Sequence, residues 1–275
     1  MGMAMLQGEL FAHCQRWRDR NASYRPAGEV FDPKLAQVQL IDESEAKSFV
    51  CRHHYSGTYP AARCRVGLFV KRPFQAERLA GVAVFSVPMN NAAVPAWFHG
   101  LRASEGVELG RFVLLDEVEA NAETWFQARA LRAMAAQLPE VRAVLSYCDP
   151  IARTDEAGVK VFPGHLGTIY RAGNAVALGR SAARTLRLLP NGRVASERAL
   201  SKIRADDCGA GYAVEQLVAA GAPKRAPYES GPAYLARIES AGLFRRLRHP
   251  GNLVFGWVLR KRRGANNLAV HQAGS

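Results

Sequence analysis

VELGRFVLLDEVEANAETWFQARALRAMAAQLPEVRAVLSYCD, residues 107–149, is the stretch that decides the fold. It opens with an apolar segment, 107–115, of strand length. An acidic turn, DEVEANAE, follows. From Thr124 to Leu138 the apolar positions Phe126, Ala130, Leu131, Met134 and Leu138 recur at helical spacing on one face, and Pro139 stands where a helix must stop. RAVLSYCD, 142–149, then reads as a short buried strand closed by Asp149. Strand, helix and strand in this order predict a βα crossover.

The neighbouring segments extend this unit. QVQLI (37–41) alternates like a strand, and Asp42 with Glu45 forms a capping-box pattern that predicts a helix to about His53. RVGLFVK (65–71) and LAGVAVFSV (79–87) read as a hairpin, with a loop carrying Trp97, Phe98 and His99 after it. Downstream, the polar insertion 150–163 precedes GHLGTIYRAGNAVALGRS (164–181), read as a short helix and a strand. RTLRLLPNGRV (184–194) resembles a hairpin turning at Pro190-Asn191-Gly192. Helices are expected around Ala213–Ala220 and Ala233–Ala241, and a last strand over 252–260. Residues 1–35 read as a helical or partly ordered arm, and 261–275 as a frayed end. No internal repeat is visible.

Composition bounds the function. A chain of 275 residues, 48% hydrophobic and 22% charged, is that of a folded protein. No apolar run reaches the roughly 18 residues of a membrane span, and the first twenty residues lack the apolar region of a signal peptide. Five scattered cysteines with no CxxC argue for reduced thiols in a cytoplasm. The net charge of +13 is concentrated: from residue 180 onward there are 17 Lys and Arg against 6 Asp and Glu. Basic residues within periodic segments suit a surface that meets a polyanion, because each guanidinium or ammonium on a phosphate releases counterions.

Four clusters can carry chemistry: HHYSG (53–57), ELGR (108–111), SYCD (146–149) and the GHLGTIYRAGN segment. Each has a bland reading. Histidines favour a helix C-terminus, an Asp often caps a turn, and a buried Tyr often bonds a carbonyl. Simple alternation places Glu108 and Arg111 on opposite faces of their strand. Tyr170 falls five residues after His165, between Gly164 and Gly173. His53, His54 and Asp149 have no spacing that specifies a metal, and none is expected. No Walker or Rossmann loop, HExxH or GxSxG occurs, which argues against zinc proteases and serine hydrolases. The start of the Thr124 helix is the best place for an anionic cofactor.

In this order, HHYSG, ELGRFVL, the Thr124 helix, SYCD and GHLGTIYRAGN resemble the Mom family of bacteriophage DNA-modification proteins, over roughly residues 37–200. That family looks like a derivative of the GNAT acyltransferase superfamily. The resemblance implies a mixed, mostly antiparallel central sheet flanked by helices, with a basic α+β C-terminal extension. The expected division is an arm (1–35), a GNAT-like catalytic domain (36–200) and a basic nucleic-acid-binding extension (201–275). It implies an anti-restriction transferase in the host cytoplasm that places an acyl or carbamoylmethyl-type group on an exocyclic amine of a DNA base, adenine N6 in the Mom case. His54, Tyr55, Arg111, Asp149 and Tyr170 carry over by position.

On that reading Asp149, with Glu108 or His54 as alternatives, takes the proton of the amine, and Tyr170 protonates the leaving group. Arg111, Val113, Leu115 and Thr124 are the expected donor-binding residues, and an acyl-CoA such as acetyl-CoA is the donor class implied. The acidic DEVEANAET stands where GNAT proteins carry their phosphate loop. Arg184, Arg198, Lys202, Arg204, Lys224, Arg245, Arg246 and Arg248 are the expected DNA contacts. Two other readings stay open. One is acylation of an aminated side arm on a hypermodified pyrimidine in phage DNA, and the other a non-catalytic nucleic-acid-binding protein with a degenerate acyltransferase fold.

Overall fold

The computed structural model describes residues 12–18, 21–26 and 30–259. The chain divides into two compact units that interleave along the sequence. The first comprises the chain up to Cys148, Leu166–Gly179, and Leu253 onward; the second comprises Asp149–His165 and Arg180–Asn252. The segments expected from the sequence were consecutive.

The first unit is built on a seven-stranded sheet. In chain order its strands are β3 (Ala36–Leu40), β4 (Ala62–Val70), β5 (Arg78–Ser86), β6 (Gly106–Leu114), β7 (Ala143–Cys148), β10 (Val176–Arg180) and β13 (Leu253–Val258). Across the sheet they run β10-β13-β7-β6-β5-β4-β3. β3 to β6 form an antiparallel meander, and β13 is antiparallel to β7. The β6–β7 pair is parallel because α3 (Ala122–Gln137) crosses between them, as the opening stretch predicts. The mostly antiparallel sheet with flanking helices is therefore as expected.

Period-2 alternation sorts the side chains to two faces. On one face Phe126, Ala130 and Met134 of α3 pack on Val66, Leu68, Phe85, Leu109 and Val144. Each large side chain so buried contributes roughly 1.5–3 kcal/mol. On the other face α1 (Glu43–His53) lays Ala46, Phe49 and Val50 on Val82 and Val84. α2 (Ala93–Trp97), with Phe98 just after it, covers Leu145 and Val254 on that face.

The second unit holds two small antiparallel ribbons, β8–β9 (Arg153–Thr154, Lys160–Phe162) and β11–β12 (Arg184–Leu188, Arg245–His249). α5 (Glu197–Ala205), α6 (Ala210–Ala219) and α7 (Gly231–Ser240) share a core of Leu200, Ile203, Leu217, Tyr234 and Ile238.

Several expectations need correction. β1 (Ala12–Arg18) pairs antiparallel with β2 (Asn21–Pro26), within the stretch 1–35 expected as a helical or partly ordered arm. Residues 1–11 and the end expected to fray, 261–275, lie outside the described residues. Asp42 occupies the N-cap of α1 but makes no side-chain cap hydrogen bond, so the capping box does not form. α3 begins at Ala122, two residues before Thr124. The main partner of β11 is β12, and only a single bridge, Leu188 to Val194, follows the expected 184–194 hairpin. α5 was not anticipated, although Ser196 caps it by accepting from the Ala199 amide.

Candidate active site

The parallel ladder of β6 and β7 is short. Its pairs are Gly106–Ala143, Val107–Val144 and Glu108–Leu145, although both strands continue. Beyond that point a side chain takes over: the Ser146 hydroxyl donates to the Leu109 carbonyl at 3.1 Å. The strands thus part beside Glu108 on one side and Ser146, Tyr147 and Cys148 on the other.

β6 carries a second irregularity. Val84 of β5 faces Arg111 and the next residue, Phe85, faces Leu109, which leaves Gly110 as the extra residue of a β-bulge. The bulge resets the alternation. Leu109, Phe112 and Leu114 stay on the α3 face, while Glu108, Arg111 and Val113 share the α1 face. The sequence expectation of opposite faces for Glu108 and Arg111 is therefore wrong. A Cβ on Gly110 would stand 2.6 Å from Ser86 Oγ, so the bulge suits glycine.

The loop after α1 closes over this face. Arg111 donates from Nε to the Thr58 carbonyl at 2.8 Å and from Nη2 to Thr58 Oγ1 at 2.7 Å, and Nη1 donates to the Gly110 carbonyl. A guanidinium has five N–H groups, so one on each Nη remains for a ligand. His54 accepts from the Ser56 amide on Nδ1, and its ring lies tilted against Tyr55 at 4.3 Å between ring centroids. Tyr55 is itself 52% exposed.

Tyr170 enters from α4 (Thr168–Ala172), whose N-cap Gly167 adopts a positive φ of 75°. A side chain there would run into the Phe255 ring, so the start of this helix requires glycine. The Tyr170 ring packs on Phe255 and Trp257 at 5.8 and 5.7 Å, and its hydroxyl hydrogen-bonds the Ser146 hydroxyl. Trp257 donates to the Gly173 carbonyl at 2.8 Å and so ties the end of α4 to β13.

The electrostatics couple these groups. Burial raises the Glu108 carboxyl above its ordinary value, against the pull of Arg111. Burial lowers Arg111, which Tyr55, Glu108 and Tyr170 each oppose. Burial also raises Tyr170 strongly, with the thiol of Cys148 adding to it and the Ser146 hydrogen bond opposing it. Tyr147 is raised by burial and by Glu108, while a hydrogen bond with Trp97 works the other way. The signals that sequence reading missed are Ser146 and Tyr147, both within the SYCD motif it singled out, and the glycine that makes the bulge.

Asp149 belongs to the second unit, and its oxygens are engaged there. Oδ1 accepts from the Ile151 amide at 3.0 Å and from His249 Nε2 at 2.9 Å, and Oδ2 takes Arg153. His249 is fully buried and its Nδ1 accepts from the Gly251 amide at 3.1 Å, which fixes the tautomer with the proton on Nε2. Burial pushes the Asp149 carboxyl up, but the hydrogen bonds from His249, Arg153 and Ile151 together hold it below its ordinary value. His165 is also in this unit; its amide donates to the Asp149 carbonyl, and burial lowers its pKa.

Of the expected donor-binding residues, Val113 and Leu115 pack into the α1 cluster. The Thr124 hydroxyl donates to the Asn121 carbonyl at 3.2 Å. Acidic residues surround that helix start: Glu119 pairs with Arg72, Glu117 with Arg78 and Glu123 with Arg16. All eight expected DNA-binding residues lie in the second unit, where Arg198, Lys202, Arg204, Lys224 and Arg248 are exposed. Arg246 is paired with Glu239, Arg184 donates to Asn252 and Arg245 donates to the Thr154 carbonyl. Among the described residues no three His, Cys, Asp or Glu side chains are grouped to hold a metal, and no helix is long and apolar enough to cross a membrane.

Residues 36–225 match the Mom protein family, a span that contains both the β6–β7 opening and Tyr170. The chain belongs to the Mom family. Mom membership makes it a phage DNA-modification protein, with DNA as its substrate. The match takes in β3 to β7 and β10 of the sheet together with α5 and α6, and ends before α7 and β13. No curated protein matches the chain.

Proposed function

We propose that the chain is a GNAT-like transferase that places an acyl or carbamoylmethyl-type group on an exocyclic amine of a DNA base, with Glu108 as the base and Tyr170 as the proton donor. The observation that carries this reading is the grouping of Glu108, Arg111, Tyr55 and Tyr170 within one electrostatic neighbourhood where β6 and β7 diverge. The exocyclic amine of adenine is a weak nucleophile because its lone pair is delocalised into the ring. As its nitrogen bonds the transferred carbon, an N–H proton passes to Glu108, and the bond from that carbon to the leaving group breaks. A carboxylate raised by burial is a stronger base than one in water.

Burial keeps Tyr170 a neutral phenol at working pH. To assist the departing atom it turns its single O–H away from Ser146, whose own proton is held by the Leu109 carbonyl, and it gives that proton up fully only to a strongly basic leaving group. Arg111 steadies the negative charge that develops, using its two remaining N–H groups. Asp149 is the weaker candidate for the base, because its oxygens already accept from three groups and its basicity is depressed.

The start of α3 is a poor cradle for a pyrophosphate. Glu123 lies in its first turn, and carboxylates dominate the loop before it. No step is assigned to a coenzyme A moiety there. The basic residues of the second unit supply the grip on DNA, and a paired target base must leave the stack to be modified.

The test is a mass spectrum of nucleosides from DNA co-expressed with the protein. A new deoxyadenosine mass that vanishes with Glu108→Gln supports the adenine reading, and a new pyrimidine mass moves the acceptor to a side arm. Unmodified nucleosides from DNA that the folded protein binds would leave only a binding role.

A further inference from the structure

Apart from the β6–β7 opening, the first unit has a cavity of about 370 Å³ between the outer strand of the sheet and α3. Gln37 and Val38 of β3 line one side, and Trp125, Arg129, Arg132 and Ala133 of α3 the other. Arg129 and Arg132 are three residues apart, so both guanidinium groups project from neighbouring positions on one helix. Neither has a carboxylate partner among the described residues. Among the described residues, the one carboxylate bonded to a lining side chain is Glu77, which the Gln37 amide engages.

The donors are also oriented. The Arg129 guanidinium lies over the Trp125 ring at 3.7 Å, a geometry that holds a flexible side chain in place. The Trp125 indole N–H is buried without a hydrogen-bond partner. The Arg129 and Arg132 charges repel each other with no counter-charge between them, and an anion seated in the cavity relieves that repulsion. Burial and the charge of Arg132 together lower the Arg129 pKa, as expected of a cation lacking its counter-charge.

We propose that this cavity is a second anion site, holding a phosphate group between Arg129 and Arg132. It is separate from the reacting groups, and it depends on the proposed chemistry only for the choice of probes. Two sources share the recognising chemistry: the phosphodiester of a DNA strand and the phosphate of a free nucleotide.

The experiment measures, with the full chain, fluorescence anisotropy of a labelled oligonucleotide across a salt series, and Trp fluorescence on titration with ADP and with pyrophosphate. The variants are Arg129→Gln/Arg132→Gln, the charge-keeping Arg129→Lys/Arg132→Lys, and a charge-matched control, Lys47→Gln/Arg102→Gln. Circular dichroism confirms that each is folded. If the site takes strand phosphate, the Gln pair weakens oligonucleotide binding several-fold and lowers the log–log salt slope by about two. The Lys pair recovers most of the affinity, and the control retains it. If it takes free nucleotide, ADP or pyrophosphate quenches fluorescence in the wild type, less in the Gln pair, and not in Trp125→Phe. Unchanged binding of all three probes in the Gln pair overturns the site, as does an equal loss in the control. Protein that binds through these arginines but modifies no nucleoside would sink the catalytic reading and leave this one standing.

Discussion

Glu108 and Arg111 share a face of β6 because Gly110 is bulged out between them. Two residues of even spacing would do so in a regular strand; these two are three apart. The bulge therefore brings an acid and a guanidinium under the loop that carries Tyr55 and Thr58, at the point where the next strand departs. Its consequences can be measured.

Glu108→Gln should abolish turnover while raising stability near neutral pH. The folded carboxyl is raised above its ordinary value of 4.5, so between the unfolded and folded values the native state binds more protons than the unfolded chain. Stability from this group is thus present at low pH and falls as pH rises through that window. The neutral amide removes the penalty. Denaturant titrations at pH 4 and pH 7 should show the gain at the higher pH only. The wild-type rate should rise with pH along a limb above the ordinary carboxylate range.

Tyr170→Phe removes one hydroxyl and leaves the ring against Phe255 and Trp257. A loss of roughly 10²–10⁴ in rate is expected for a group that assists departure of the leaving group. The melting temperature should change little. Full turnover in the folded variant ends the role assigned to this phenol.

Asp149→Asn should damage the second unit rather than the chemistry. Removing a carboxylate that accepts from buried His249 and from Arg153, and is itself partly exposed, costs roughly 1–3 kcal/mol. Because this carboxyl is held below its ordinary value, its contribution is complete above the ordinary carboxylate range and is lost as pH falls through the depressed value. Chemical denaturation over pH 3–7 checks both. A stable variant with a large fall in rate alone would return Asp149 to the candidates for the base.

Gln127 on α3 is 1% exposed, and neither its amide oxygen nor its nitrogen has a hydrogen-bond partner. Gln127→Leu should stabilise the protein by about 1–3 kcal/mol, the usual penalty for such a group. Gly173 faces the amide oxygen closely enough that a Cβ would overlap it. Gly173→Ala should therefore cost roughly 1–3 kcal/mol, and much less when Gln127 is shortened to Ala. Additive effects in the double-mutant cycle would contradict this contact.

The hydrophobic periods alone determined the strand–helix–strand unit at 107–149 and the hairpin before it, because alternation and the 3.6-residue repeat are local properties that survive without the rest of the chain. The motifs holding Glu108, Arg111, Ser146 and Tyr170 were legible for the same reason. Tertiary structure decided what those residues face. Gly110 reads as any strand glycine until Val84 and Phe85 pair around it. The carboxylate of Asp149 reads as a base at the end of a strand until His249, one hundred residues away, donates to it. Register and long-range pairing are set by packing against distant segments, and no local pattern encodes them.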